Sequence, residues 1–179
     1  TPVTLYARAG ATGVDATNID AINSALNSTY VTGGQVATTT KLQALVDAYL
    51  TILALADNGV QTATSATADQ FELIGVTGIN SITTGATAVS AADKSRLLSD
   101  AIDNLPRTAV DTVPEVQSLA DAVTAVMTAA NGLVSGAGAL TKAQLLAMGV
   151  TGVTDTNLNS VLAAIAQTPD DGSSVNTLA

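Results

Sequence analysis

The chain has 179 residues, a formal net charge of −9, and no cysteine, histidine or tryptophan. Hydrophobic residues make up 47% and charged residues only 12%, which is typical of a folded chain rather than a disordered one. The negative charge argues against partners such as nucleic acid or anionic membranes. The missing imidazole and thiol groups exclude histidine acid/base catalysis, cysteine nucleophiles, disulfides and the usual zinc ligands.

Two short motifs recur along the chain and predict a repeat. A Gly-x-Thr-Gly motif occurs at residues 10–13, 75–78 and 149–152, and its last glycines are 65 and 74 residues apart. A Val-x-Thr motif begins at Val36, Val110 and Val175, with the same two spacings in reverse order. Periods of this length indicate an array of supersecondary units, and the reversal places a nine-residue insertion in the second copy, within residues 81–90.

The first two helices of each predicted unit are short. In copies two and three the first helix begins with a capping box, Thr67 with Gln70 and Thr141 with Gln144. It is predicted to end at the first glycine of the Gly-x-Thr-Gly motif. The second helix is predicted over residues 15–27, about 91–104, and 155–167, where apolar residues lie three and four positions apart.

The third helix of each unit is predicted to be the longest. In copy two it begins with a Thr112 and Glu115 box, with Pro114 in the first turn. Its apolar stripe comprises Val113, Val116, Leu119, Val123, Val126, Met127 and Ala130, matched in copy one by Leu42, Leu45, Val46, Tyr49, Ile52, Leu53 and Ala56. Both helices are predicted to stop at an Asn-Gly pair, residues 58–59 and 131–132.

The spacing therefore predicts an all-α protein made of tandem small three-helix bundles. The units are predicted at residues 1–60, at 61–133 with the insertion near 81–90, and at 134–179. Residues 175–179 align with 110–114, so the third repeat is expected to be incomplete and to lack its third helix. We expect its exposed apolar faces to fray, to dock on the preceding unit, or to accept a helix from another chain.

Several acidic and glycine-rich segments are candidate metal-binding or phosphate-binding sites. Asp15, Asn18 and Asp20 offer oxygen ligands, but their spacing is not that of an EF-hand, and a helix-start cap is favoured. Residues 170–172, Asp-Asp-Gly, are interpreted as a solvated loop. The glycine-rich residues 132–138 follow no strand and precede no lysine, so a linker is favoured over a phosphate-binding loop.

The remaining polar and aromatic candidates also favour structural roles. Asp47 and Asp121 occupy equivalent points of the long helices and could pair with Arg8, Lys41, Lys94, Arg96 or Arg107. They are predicted to be surface positions rather than catalytic carboxylates. Ser95 and Ser99, near Lys94, form no Ser-x-x-Lys motif, so a hydrolase is not predicted. Tyr6, Tyr30, Tyr49 and Phe71 are too scattered for a stacking platform and are predicted core or edge residues. We predict no enzyme activity, no catalytic, cofactor-binding or metal-binding residues, and no metal or cofactor needed for folding.

Composition also bears on location. A surface rich in Thr, Ser and Asn and free of cysteine favours bacterial export, hence an extracellular or cell-surface address. The N-terminal Thr1 and Pro2 show neither an initiator methionine nor a signal sequence, so we expect a fragment or a processed product. The most apolar stretch, residues 42–56, contains Asp47 and is too short to cross a bilayer, so membrane insertion is not expected.

At its motifs the sequence resembles the α-helical repeats of very large bacterial surface adhesins and biofilm-associated proteins exported by type I secretion. The resembling segments are residues 67–71 with 75–78, residues 149–153 with 157–158, and residues 110–117. The resemblance covers nearly the whole chain and implies a surface-displayed structural segment rather than a catalyst. The sequence has no Gly-Gly-x-Gly-x-Asp repeats, so calcium-driven folding is not implied.

Two functions from different classes follow as expectations. The first is a spacer or stalk in an extracellular adhesin or matrix protein, which presents distal domains for cell adhesion or biofilm formation. The alternative is a subunit of a self-assembling extracellular filament or surface layer. A module that recognises a host protein through a helix face is a further hypothesis. The expected partners are neighbouring repeats of the same protein, with head-to-tail assembly between copies as the second option.

Overall fold

The computed structural model describes residues 1–60, 65–80, 89–136 and 138–178. Within these ranges the chain forms helices α1 Val3–Arg8, α2 Ile19–Leu26, α3 Thr39–Leu55, α4 Ala68–Leu73, α5 Ala91–Asp103, α6 Val113–Ala130, α7 Lys142–Ala147 and α8 Leu158–Ile165. Two 3₁₀ turns, Gly33–Gln35 and Arg107–Ala109, precede α3 and α6. The described residues contain no strand, only an isolated antiparallel bridge between Asp57 and Pro106. The predicted all-α class is confirmed.

The predicted capping boxes begin α4 and α7. Thr67 N–H donates to Gln70 Oε1 over 2.9 Å, and Gln70 N–H donates back to Thr67 Oγ1 over 3.2 Å. Thr141 and Gln144 form the same pair at 2.9 and 3.2 Å. These four bonds satisfy backbone donors that a helix start otherwise leaves open.

The short helices end at glycine, as predicted. Gly75 and Gly149 have φ angles of +95° and +91°, in the left-handed region that favours glycine. The next residue in each case donates its N–H back into the helix, from Val76 to Phe71 O and from Val150 to Leu145 O, both over 3.0 Å. These contacts are the Schellman form of helix termination.

Helix α5 matches its prediction, but the second helices of copies one and three are shorter than predicted. Helix α2 begins at Ile19 rather than at Asp15, and α8 begins at Leu158 rather than at residue 155. The residues before α2 form a turn instead, because Asn18 Nδ2 donates to Gly13 O over 2.9 Å and Asn18 Oδ1 accepts from Asp15 N–H over 3.0 Å. Asn157 makes the matching bond to Gly152 O at 2.9 Å ahead of α8.

The long helices bury the predicted apolar stripes. All seven stripe residues of α6 are buried, and in α3 the stripe is buried except for Leu42, which is half-buried. Thr112 and Glu115 form the expected box at the start of α6. Helix α6 ends directly before the Asn-Gly pair as predicted.

Helix α3 ends earlier than predicted, at Leu55 rather than at the Asn-Gly pair. Asn58 and Gly59 donate their N–H groups to Leu105 O over 3.3 Å and to Asp103 O over 2.6 Å. Because residues 58 and 59 bond to the end of α5 and the residues after it, they do not continue the helix.

The long helices lie between the shorter ones. Helix α3 packs against α2, α4 and α5, while α6 packs against α2, α5, α7 and α8. The buried apolar residues join into one hydrophobic cluster that extends from Tyr6 to Leu162. None of the described helices is long and apolar enough to cross a membrane. The predicted insertion lies largely at residues 81–88, outside the described residues, as do residues 61–64 of the predicted unit boundary.

The C-terminal tail, residues 166–178, docks on α5. Asn176 Nδ2 donates to Asp93 Oδ1 over 2.6 Å, and Leu178 N–H donates to Asp100 Oδ2 over 3.2 Å. Val175 and Leu178 pack against the hydrophobic cluster and, with Leu97 and Val161, line a small cleft of about 200 Å³. Helices α7 and α8, whose apolar faces the sequence predicts to lack a third helix, pack against α6.

Candidate functional site

The Gly-x-Thr-Gly turns are the most distinctive polar feature of the molecule, because the long helices hold them by side-chain hydrogen bonds. At the first turn, Gln43 Oε1 of α3 accepts the Thr12 N–H over 2.7 Å and the Thr12 hydroxyl over 3.3 Å. Gln43 Nε2 donates to Thr12 O over 3.1 Å and to Asp47 Oδ1 over 2.8 Å. We call this set of contacts the threonine–glutamine clamp.

The same clamp recurs at the second turn, held by α6. Gln117 Oε1 accepts the Thr77 N–H over 2.8 Å and the Thr77 hydroxyl over 3.3 Å. Gln117 Nε2 donates to Thr77 O over 3.3 Å and to Asp121 Oδ1 over 2.8 Å. A glutamine amide matches the donor and acceptor of one backbone residue, so the clamp fixes the long helix against the turn in one register.

The third turn has no clamp. Among the described residues, none forms a hydrogen bond with the Thr151 N–H or C=O group, and Thr151 is exposed. Gly152 is equally open: a Cβ added there would meet nothing within 4 Å. At the first turn a Cβ added to Gly13 would lie 3.0 Å from Leu50 of α3, and at the second a Cβ added to Gly78 would lie 3.8 Å from Thr124 of α6.

The first glycine of each later turn contacts the loop that follows a preceding helix. A Cβ added to Gly75 would lie 2.4 Å from Ser28 Oγ, and one added to Gly149 would lie 3.4 Å from Asn104 Cβ. Ser28 and Asn104 lie just after α2 and α5. Each of the two later turns is therefore packed on its N-terminal side by an earlier loop, and the first two turns are packed by a long helix as well.

Asp47 and Asp121 do not make the ion pairs predicted for them. Each carboxylate accepts from the clamp glutamine four residues earlier, which orients the amide toward the turn. Two of the lysines proposed as partners bind backbone carbonyls instead: Lys41 Nζ donates to Gly34 O over 2.7 Å, and Lys94 Nζ donates to Gly78 O over 3.0 Å. Both carboxylates thus position another side chain.

The predicted acidic loop residues are occupied by local hydrogen bonds. Asp15 Oδ1 accepts the Thr17 N–H over 2.7 Å and the Thr17 hydroxyl over 2.6 Å, and these bonds lower the pKa of Asp15. Asp171 makes the same contacts with Ser173, at 3.0 and 2.7 Å, and its pKa is lowered for the same reason. Asp20 lies in the first turn of α2, where a carboxylate interacts favourably with the helix dipole.

The serine and lysine candidates on α5 have structural partners. Ser99 Oγ donates to Ser95 O over 2.7 Å and accepts the Ala66 N–H over 3.1 Å. Ser95 Oγ donates to Ala92 O over 3.1 Å. Burial lowers the pKa of Lys94. Its ammonium donates to the carbonyl oxygen of the last glycine of the second turn, as Asn18 and Asn157 do at the first and third turns. These hydroxyls bond to backbone groups rather than to a base that would activate them.

The aromatic residues divide between core and surface. Tyr49 and Phe71 are fully buried, and the Tyr49 hydroxyl donates to Val110 O over 3.3 Å. Burial, followed by the nearby Asp111 and Glu115 carboxylates, raises the pKa of Tyr49. Tyr6 is buried and donates to Asn23 Oδ1 over 2.8 Å, whereas Tyr30 is 60% exposed.

Two further features bear on ligands. The glycine-rich residues 132–138, of which residue 137 lies outside the described part, join α6 to α7 as a connection between helices.

An open depression of about 560 Å³ is lined by Asp69, Asn80 and Asp93, but Asn80 donates to Asp69 and Asn176 donates to Asp93. In the described part of the chain, no three carboxylates are grouped to hold a metal ion.

The fold and the clamp define a helical protein whose repeated polar feature joins helix to turn. No protein-family model matches the chain, and no curated protein or solved structure is significantly similar to it.

Proposed function

We infer that the chain is a structural repeat segment, a spacer or stalk of an extracellular bacterial adhesin or matrix protein. The observation that carries this proposal is the threonine–glutamine clamp, found twice with the same atoms and nearly the same distances. Each clamp lies within one proposed unit and holds its long helix against its turn in a fixed register, so the repetition indicates two units built alike. The proposed units are residues 1–60, 61–133 and 134–179, each with two short helices and, in the first two, a long one.

The packing supports a structural segment that holds its neighbours at a fixed distance, rather than one that binds a small molecule. Each long helix contacts short helices on both its N-terminal and its C-terminal side in the chain, so adjacent proposed units share helices. The side chains of Ser95, Ser99 and Lys94, which are of types used in catalysis, donate hydrogen bonds to backbone carbonyl oxygens. Shared helices and occupied polar groups both suit a stalk.

The extracellular address is proposed from composition and from the resemblance to adhesin repeats. A weakly charged, cysteine-free chain rich in Thr, Ser and Asn is typical of exported bacterial proteins. Labelling unpermeabilised native cells with an antibody against the chain tests this directly. Surface labelling supports the proposal, and signal found only after permeabilisation contradicts it.

Light scattering on the purified chain tests the stalk against its alternative. A stalk segment stays monomeric as concentration rises, because its unit contacts are made within the chain. A subunit of a self-assembling filament or layer shows mass that grows with concentration. The open third turn is the observation that favours the alternative, since it leaves a helix-binding surface for a second molecule.

A further inference from the structure

The first and third turns are equivalent in geometry, and this equivalence shows what the third one lacks. Asn18 and Asn157 make the same 2.9 Å bond to the last glycine of the motif, and they are followed by α2 and α8 respectively. Residues of α8 can therefore be compared with residues of α2 that lie 139 positions earlier. Ser160, Val161 and Ala164 correspond to Ala21, Ile22 and Ala25.

The two helices differ in burial at these positions. Ala21, Ile22 and Ala25 are at most 1% exposed, and α2 packs against α3, the long helix that follows it. On α8, Ser160 and Ala164 are exposed and Val161 is half-buried. The strip of α8 that corresponds to the buried one on α2 is thus only partly covered, because Val161 packs against the hydrophobic cluster while Ser160 and Ala164 face solvent.

The backbone groups beside this strip are open as well. Thr12 and Thr77 each exchange two hydrogen bonds with a glutamine amide through their N–H and C=O groups, whereas Thr151 has no such partner in the described part of the chain. Gly152 is open where Gly13 and Gly78 approach Leu50 and Thr124. Polar and apolar groups at the third turn are therefore uncovered together.

The tail contacts α5 in the same way that the start of the long helix α6 contacts α2. Val113, the first residue of α6, donates its N–H to Ser24 Oγ of α2 over 2.9 Å. Leu178, which lies 65 residues further along, donates its N–H to Asp100 Oδ2 of α5 over 3.2 Å. Both α2 and α5 thus use a side-chain oxygen to hold the residue that directly follows a Val-x-Thr motif.

We propose that Thr151, Gly152 and the strip of Ser160, Val161 and Ala164 form a docking site for a polypeptide helix of the α3 and α6 type. The occupant carries an apolar stripe and, at its start, a glutamine followed four residues later by an aspartate. Its glutamine completes a third threonine–glutamine clamp on Thr151, and its apolar stripe covers α8. The interface continues the one that α3 makes with α2, so its chemistry is set by contacts present elsewhere in the molecule. The inference rests on the proposed equivalence of the units and not on the extracellular address.

The test supplies such a helix in register. A copy of residues 115–132 is appended after Ala179, so that the copied Gln117 stands where a third clamp requires it. Hydrogen exchange at the Thr151 amide is then measured by NMR in the full chain with and without the extension. We expect exchange to slow at least tenfold, because the amide gains an acceptor and loses contact with water.

Two variants of the appended helix separate the clamp from general stabilisation. Gln117→Ala in the copy removes the amide and is expected to return Thr151 exchange to at least half its original rate, while Ser118→Ala in the copy, an exposed position in α6, leaves the protection intact. The proposal is overturned if the extension is helical by circular dichroism but Thr151 exchange is unchanged, or if it remains unstructured. Light scattering of the unextended chain tests the proposed function separately.

Discussion

The clamp glutamines illustrate how much one side chain contributes when it satisfies backbone groups. Gln43 and Gln117 each form four hydrogen bonds, three to a turn threonine and one to an aspartate. Without the amide, the Thr77 N–H and C=O, in a half-buried residue, would have to find water at the edge of the helix interface.

We expect Gln117→Ala to lower the free energy of unfolding by about 1 to 2 kcal/mol, because one hydrogen bond contributes about 1 kcal/mol net and two backbone groups lose partners. Gln167→Ala is the matched control, since Gln167 is exposed and its side-chain amide donates to Ala163 O at the end of its own helix. Urea denaturation measures both. Equal midpoints for the two variants would show that the clamp does not stabilise the fold.

A second residue-scale prediction concerns Gly75. Its φ of +95° is unfavourable for alanine, and the new Cβ would lie 2.4 Å from Ser28 Oγ and 2.8 Å from Ser28 Cβ. Gly132 has a similar φ of +82° but open space around it.

Gly132→Ala is therefore expected to cost about 1 kcal/mol, from the left-handed backbone alone, and Gly75→Ala about 2 to 4 kcal/mol because the clash is added. Thermal unfolding followed by circular dichroism compares the two. Similar melting temperatures would mean that the loop after α2 does not press on the second turn.

At the scale of the elements, the start of α6 gathers acidic groups. Glu115 accepts the Thr112 N–H over 3.0 Å and its hydroxyl over 2.8 Å, which caps the helix. Asp111 lies just before this cap, where desolvation, then Glu115 and the more distant Asp20, raise its pKa. A raised carboxyl pKa means that ionised Asp111 destabilises the folded chain, and that this cost disappears as the pH falls through the folded-state pKa.

Asp111→Asn should therefore stabilise the protein at pH 7, by about 0.5 kcal/mol for a half-exposed group. The gain should vanish at low pH, where Asp111 is protonated in the wild-type protein too. Urea midpoints at pH 7 and pH 3 check this, with the exposed Asp170→Asn as control. A gain of the same size at both pH values would attribute the effect to something other than charge.

The elements also show what the sequence could predict. Local residue spacing was enough to predict the apolar stripes of α3 and α6 and the capping boxes that begin at Thr67 and Thr141. The end of α3 depends on hydrogen bonds from Asn58 and Gly59 to residues near Pro106, which no local pattern reveals. The clamp was missed as well, although Gln43 with Asp47 recurs 74 residues later as Gln117 with Asp121. That repetition was available, but the turn to which each glutamine bonds lies 31 or 40 residues away.

At the scale of the whole molecule, the helices share one hydrophobic cluster. Its large residues are aliphatic apart from Tyr6, Tyr49 and Phe71, so stability depends on many modest contacts rather than on a few large aromatic ones. The acidic residues with local roles, Asp15, Asp47, Asp121 and Asp171, are spread along the chain rather than gathered.

Folding is therefore expected to need no metal ion. Excess EDTA should leave the melting temperature unchanged, because the carboxylates described above bond to protein donors and are dispersed. The measurement is thermal unfolding by circular dichroism with EDTA and with added calcium chloride. A drop of more than a few degrees in EDTA would contradict the expectation and indicate structural calcium.

The sharing of α3 and α6 between neighbouring short helices has a mechanical consequence. When the chain is pulled from its two ends, α4 and α5 cannot detach without removing two of the three helices that α3 packs against, and α6 has the same position between α5 and α7. We expect optical tweezers to record one large extension step, and three separate steps would show that the units yield independently. If the chain serves as the proposed spacer, it keeps its full length under rising load and gives way at a single threshold force.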